Sequence, residues 1–265
     1  MSPATELDDA PTVIAPGDPL LEGTRLRDYE ITGLLHEGGF SIVYRAWDQA
    51  LQRHVALKEY LPASMASRDD NGKAVAIRSE HHVDTFAIGL RSFLDEARLL
   101  ARFDHASLVK VYRFWEDNGT AYMAMPFYEG PLLERALADL GRVPGEAELR
   151  AWLKPVLNAV TVLHEAGVWH QNIGPDEIVL TPTGPVLLGL ASAGHAIEAV
   201  QRAPAAALKR GYAAIEQYGG VAGAALGPWT DLYALAAVVH SAITGAPPPP
   251  APDRLVNDGQ QPLAQ

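Results

Sequence analysis

The amino-acid sequence predicts an α+β chain of two lobes: a five-stranded antiparallel sheet with one long helix and an inserted hairpin, then a mainly helical second part. Three observations predict it. Short β-favouring runs recur between Tyr29 and Met125, one long amphipathic pattern interrupts them between Val83 and Phe103, and helical periodicity takes over beyond Pro131. The expected boundaries are an acidic, Pro-containing disordered leader at 1–26, a first lobe at 27–127, a second lobe at 128–246 and a Pro-rich polar tail at 247–265.

Tyr29 to Leu35, Ile42 to Trp47 and His54 to Glu59 are apolar, β-favouring runs, the first two joined through Glu37 Gly38 Gly39 Phe40. Asn71 and Gly72 before Ala74 Val75 Ala76 Ile77 suit a tight turn and mark the inserted hairpin. Phe86, Leu90, Phe93, Leu94, Ala97 and Leu100 recur at helical spacing and form one apolar stripe along Val83 to Phe103. Val109 to Trp115 and Thr120 to Met125 flank Asp117 Asn118 Gly119, a second hairpin that completes five strands. Leu149 to His164 reads as a helix stopped at Gly167, and Ile178 to Leu180 with Val186 to Leu188 as two short strands around Thr183 Gly184. Asp231 to Thr244 is the last expected helix, closed by Gly245 and the prolines 247 to 250.

A chain of 265 residues, 48% of them hydrophobic, can bury a sizeable core. Its formal charge of -11 and lack of a Lys/Arg cluster speak against a nucleic-acid footprint. The absence of cysteine excludes disulfides and thiolate metal sites, and fits a reducing, cytoplasmic setting. The leader has neither the basic start nor the apolar core of a signal peptide, and Leu232 to Ile243 is too short and too interrupted to span a bilayer. The nine histidines show no pair with metal-ligand spacing.

The motifs narrow the reading. His36 to Tyr44 (HEGGFSIVY), Val55 Ala56 Leu57 Lys58 and His170 Gln171 Asn172 Ile173 Gly174 Pro175 Asp176 Glu177 follow one another in this order of elements, and together they resemble the protein-kinase family. Lys58 to Pro62 (KEYLP), Gly119 to Met123 (GTAYM), Ile215 to Tyr218 and Gly227 to Asp231 look like its bacterial Ser/Thr branch. The likeness covers about Tyr29 to Thr244, and the second lobe reads as incomplete after the helix beginning at Asp231. It implies a nucleotide site in which Lys58 contacts phosphates, Glu96 orients Lys58, Gly38 and Gly39 form the glycine-rich turn, and Val43, Ala56, Met125, Phe127 and Val179 border an adenine ring.

The same resemblance implies that the chemistry is degraded. Asn172 stands where the family has its proton-accepting Asp, Gly174 where it has a Lys, Glu177 where it has a metal-binding Asn, Gly189 where it has the main magnesium ligand, and Gln171 where an Arg gathers an activation-loop phosphate. An amide is not a base and glycine carries no charge. Residues 193–229 contain no Ser or Thr to phosphorylate. The family's inter-lobe packing positions fall on Leu100, Val111, His170 and Leu190, with Asp231 anchoring from the last helix.

The expectation is therefore a pseudokinase, a regulatory or protein-binding module of kinase fold with no functional catalytic residues. The resemblance implies ATP or another adenine nucleotide as ligand and speaks against Mg²⁺, for which Glu177 is the one weak candidate. It implies a protein partner such as an active kinase or signalling complex, and an uncovered second-lobe surface open to self-association. A divergent active Ser/Thr kinase or other ATP-using transferase is the alternative, and a purely structural domain without nucleotide is the second.

Overall fold

The computed structural model describes residues 19–69, 71–190, 208–218 and 225–260. Its first lobe is built on an antiparallel sheet of strands β1 (Arg25–Leu26), β2 (Tyr29–Glu37), β3 (Ser41–Asp48), β4 (Arg53–Tyr60), β7 (Arg113–Asp117) and β8 (Thr120–Pro126), in the order β1-β2-β3-β4-β8-β7. Alternation along β3, where Ile42, Tyr44 and Ala46 are buried, sets one face of the sheet against helix α1 (Val83–Leu100). On α1 the residues Phe86, Phe93, Leu94, Ala97 and Leu100 are buried, the stripe that its spacing predicts.

The five-stranded expectation is corrected to six, because β1 comes from within the segment expected as leader. Leu20 and Leu26 are buried in the sheet core, and the Leu20 amide donates to the Tyr44 hydroxyl at 3.1 Å. Two apolar side chains outweigh the polar average of the residues around them. Residues 1–18 of the expected leader lie outside the described residues. A second difference concerns Val109 to Trp115, where the strand begins only at Arg113. Leu108 instead forms a parallel bridge with Leu187, and the Val109 amide donates to the Leu187 carbonyl at 2.9 Å, so this stretch pairs with the second lobe.

The inserted hairpin is β5 (Ala66–Arg68) with β6 (Val75–Ile77). Asp69 caps its turn, accepting from the Lys73 and Ala74 amides at 3.1 Å each. Asn118 and Gly119, at φ of 52° and 74°, make the β7–β8 turn, and a Cβ on Gly119 would lie 2.6 Å from the Val75 carbonyl oxygen. Glycine there serves both the turn and the close approach of the inserted hairpin. The hairpin is also held by a buried network: Arg68 Nη1 donates to Glu59 Oε1 at 2.8 Å, Arg68 Nη2 pairs with Glu59 Oε2, and the Tyr44 hydroxyl donates to Glu59 Oε2 at 2.8 Å.

The second lobe holds helices α2 (Leu133–Leu140), α3 (Glu146–Glu165) and α4 (Pro228–Thr244), with the small sheet β9 (Ile178–Thr181) and β10 (Gly184–Leu187). Beyond α4 the sequence reading expects only a polar tail, yet residues 251–256 form a further short helix, α5 (Ala251–Val256). Its Arg254 Nη1 donates to the Tyr233 hydroxyl at 3.4 Å, so α5 partly covers α4. Ala234, Leu235, Ala237 and Val238 of α4 are buried, while Trp229 and Leu232 stay 56% and 51% exposed. Among the described residues no helix is long and apolar enough to cross a membrane.

Candidate functional site

The two lobes enclose a cleft of about 590 Å³. Its roof follows from strand register: Val43 pairs with Lys58, and Ala56 with Met125, so these four side chains share the sheet face opposite the buried Tyr44 and Leu57. Phe127 closes the edge where the chain leaves β8, and Val179 of β9, bridged to Leu132, forms the floor. Val43, Ala56, Lys58, Glu96, Met125, Phe127 and Val179 thus all line one cavity. Gly38 and Gly39 lie at the β2–β3 turn and do not line it, whereas His36, Phe40 and Ser41 beside them do.

Lys58 Nζ donates to both carboxylate oxygens of Glu96, at 3.1 and 3.2 Å. Glu96 is 1% exposed and Lys58 20%, so the acid is sealed inside the lobe while the ammonium faces the cleft. A Cβ built on Gly189 would sit 2.6 Å from Glu96 Oε1 and 3.3 Å from Lys58 Nζ. The space beside Gly189 is occupied by this ion pair.

Below the cleft, His170 to Glu177 is held by one carboxylate from α4. Asp231, fully buried, accepts from the His170 and Gln171 amides at 2.8 and 2.7 Å and pairs with His164 Nε2 at 2.8 Å. Those bonds fix Gln171 at φ 61°, a left-handed conformation uncommon for a side chain of its size. The Gln171 carbonyl also accepts from Gln217 Nε2 at 2.8 Å. His170 is fully buried, and burial pushes its pKa down. Its Nδ1 accepts from the Asn172 amide at 3.3 Å, which leaves Nε2 as the donor to the Leu188 carbonyl at 3.1 Å. His170 is therefore a neutral, fully buried residue; of the other expected inter-lobe packing positions, Leu100 and Leu190 are buried and Val111 is partly buried.

Asn172, Glu177 and Gly189 line the cleft; Gln171 and Gly174 do not. The Asn172 amide Nδ2 donates to Glu177 Oε1 at 2.8 Å. Sequence reasoning missed the group that completes this corner, Lys209. Its Nζ donates to Asp176 Oδ1 at 2.6 Å and Glu177 Oε1 at 3.1 Å, across more than 30 residues of sequence. A Cβ on Gly174 would meet Asp176 Oδ1 at 2.5 Å and Lys209 Cδ at 3.0 Å. Burial pushes the Glu177 pKa up, with Asp176 adding to the rise and Lys209 opposing it. The only sequence signal for this group was the adjacent cations Lys209 and Arg210 at the end of an Ala-rich stretch.

An adenine nucleotide fits these groups: an apolar slot for the base and a cleft-facing ammonium for a phosphate. Mg²⁺ requires hard oxygen ligands in octahedral array. Gly189 has none, and the two carboxylates at 176 and 177 already share one ammonium. Among the described residues no group of three or more His, Cys, Asp or Glu side chains is arranged to hold a metal ion. Residues 191–207 and 219–224, which include much of the expected activation segment, lie outside the described residues.

Known proteins place this geometry. Residues 29–261 match the family model for the protein kinase domain. DNA damage-responsive serine/threonine-protein kinase RqkA of Deinococcus radiodurans is 32% identical over 242 residues, which cover 87% of this chain and 32% of that protein. Serine/threonine-protein kinase PknL of Mycobacterium tuberculosis is 29% identical over 233 residues, covering 87% of this chain and 53% of PknL. The chain thus spans between a third and about half the length of these curated relatives. Among solved structures, the apo form of PpkA-294 superposes with a TM-score of 0.85 at 44% identity, covering 93% of this chain and 86% of that one. The Mycobacterium tuberculosis PknI kinase domain, at 23% identity and a TM-score of 0.64, shares the fold. From the six-stranded first lobe to the helix that carries Asp231, the chain belongs to the protein kinase domain family and is similar to its bacterial Ser/Thr members.

Proposed function

We propose that this kinase domain is a pseudokinase: it holds an adenine nucleotide in the cleft without Mg²⁺, does not transfer phosphate, and acts through contact with a protein partner such as an active kinase or signalling complex. The observation that carries the reading is Gly189, whose side-chain space is filled by the Lys58–Glu96 pair. Phosphoryl transfer rests on charge neutralisation and positioning, and at position 189 there is no side chain to hold the principal metal. Asn172 removes the base as well, a loss worth about 10²- to 10⁴-fold by itself.

A divergent active kinase is the second reading. It is favoured by the curated relatives, which are named serine/threonine-protein kinases, and by the Asp176 and Glu177 carboxylates facing the cleft. Labelled γ-phosphate separates the two. Incubation of the chain with ATP, Mg²⁺ or Mn²⁺ and a general protein substrate should leave no label on substrate or chain, while ATP raises the melting temperature with or without metal. Metal-dependent label that Lys58→Ala abolishes would establish the active kinase instead.

A further inference from the structure

Lys209 is the one cation brought to Asp176 and Glu177 among the described residues, and its placement is a substitution in space. Gly174 has no side chain, and the volume a Cβ would claim there is filled by Lys209 Cδ at 3.0 Å and Nζ at 3.3 Å. Two carboxylates that line the nucleotide cleft would repel a polyphosphate entering it. In this structure an ammonium from another part of the chain binds both, at 2.6 and 3.1 Å, with its side chain only 19% exposed. Other groups around this corner do not duplicate its charge: Asn172 is a neutral amide, Lys58 is paired with Glu96, and Gly189 is bare.

We infer that Lys209 is the internal counter-cation of the cleft, replacing a divalent metal in screening Asp176 and Glu177 from the phosphates, so that the chain binds ATP as the metal-free anion. The inference rests on the nucleotide-binding reading above and gives Lys209 a positioning role: it sets the charge that the phosphates meet, and need not touch them. Because Asp176 and Glu177 stay in the cleft wall, removing the ammonium exposes their charge to the ligand without altering the adenine slot.

Equilibrium binding of ATP and of adenosine, each in EDTA and in Mg²⁺, to the wild-type chain, Lys209→Met and Lys209→Arg, tests this. Adenosine reports the slot and the difference between ATP and adenosine reports the phosphates. The wild type should bind ATP more tightly than adenosine, with Mg²⁺ changing its affinity by less than about twofold, because the carboxylates are already neutralised. Lys209→Met should keep the adenosine affinity, lose roughly tenfold in ATP affinity in EDTA, and recover it with Mg²⁺, which can take the freed carboxylates. Lys209→Arg should behave as the wild type. Should Lys209→Met fail to bind adenosine, Lys209→Gln takes its place with the same expectation, and a loss of adenosine binding in both variants overturns the positioning role. Unchanged ATP binding by Lys209→Met in EDTA overturns the inference. So does a wild type that binds adenosine but needs Mg²⁺ for ATP, which leaves the nucleotide site standing. A wild type that binds neither ligand overturns both.

Discussion

Restoring a side chain at Gly189 should destabilise the domain instead of reviving it. A Cβ there lies 2.6 Å from Glu96 Oε1, about 0.8 Å short of ordinary contact. Moving that oxygen directly away from the Cβ, which itself lies 3.3 Å from Lys58 Nζ, stretches the 3.1 Å bond from Lys58 to roughly 3.5 Å, the limit of hydrogen-bond reach. Glu96 is 1% exposed, so water does not replace what it loses. Hydrogen bonds to charged groups contribute about 1.5–3 kcal/mol, and both Lys58 bonds are weakened without being lost, which sets the cost of Gly189→Ala at about 1 kcal/mol. Gly189→Asp adds a like charge beside Glu96. At 4 Å and an effective dielectric of 20 the repulsion reaches about 4 kcal/mol, and rotation of the new carboxylate toward the cleft and Lys58 cuts the net cost to about 2–4 kcal/mol. Urea unfolding at neutral pH measures both variants, and repeating Gly189→Asp in a Glu96→Gln background isolates the charge conflict. The coupling should be at least about 1 kcal/mol. The reasoning fails if Gly189→Ala costs under about 0.5 kcal/mol, if Gly189→Asp costs the same in both backgrounds, or if Gly189→Asp alone yields phosphotransfer.

Two further outcomes follow from the lower lobe. Asp231→Ala should cost about 3–5 kcal/mol in the same unfolding assay, because it strands the buried His170 and Gln171 amides and lets Gln171 leave its left-handed conformation; Asp231→Asn, which keeps one acceptor oxygen, should cost less. The pH dependence of stability should carry the signature of Glu177, whose pKa in the folded state is above its ordinary value of 4.5. Between those two values the folded chain binds the extra proton, so this group's contribution is full below pH 4.5 and is lost as pH rises through the raised pKa. Glu177→Gln should remove that fall, so the variant gains on the wild type as pH increases, by about 1.4 kcal/mol for every tenfold difference in proton affinity between the folded and unfolded carboxylate. Parallel pH profiles for the two proteins would refute it.

Much of the first lobe is legible in the sequence because its strands are local objects. The alternation in β3, the Asn118–Gly119 turn and the α1 stripe each show their period within a few residues, and the structure agrees at all three. What escaped depends on contacts between distant segments. Leu20 and Leu26 look like part of a polar leader until the sheet is present to bury them. Val109 reads as strand, yet its hydrogen bond goes to Leu187 of the other lobe, a choice that no local pattern encodes. In the candidate site, Lys58, Glu96 and Asp231 were legible through family resemblance, whereas Lys209 was not. It reaches Asp176 from the far side of an Ala-rich stretch, and only the space left by Gly174 shows what it replaces.

The two glycines of the site are related in a way that the residue types alone conceal. Taken from sequence, Gly174 and Gly189 are each the loss of a functional side chain. In the structure each is also a close approach: Glu96 Oε1 fills the space beside Gly189, and Asp176 with Lys209 fills the space beside Gly174. Both vacated positions are thus packed by ion pairs, one formed within the first lobe and one joining the catalytic loop to a distant cation. At both positions the neighbouring charged side chains pair with one another within the protein. Reversal is correspondingly coupled. A lysine returned to position 174 would compete with Lys209 for the same carboxylates, and an aspartate returned to position 189 would compete with Glu96 for Lys58. On the pseudokinase reading, single reversions therefore meet like charge and side chains that must shift, and recovery of phosphotransfer would require both ion pairs to rearrange together with replacement of Asn172.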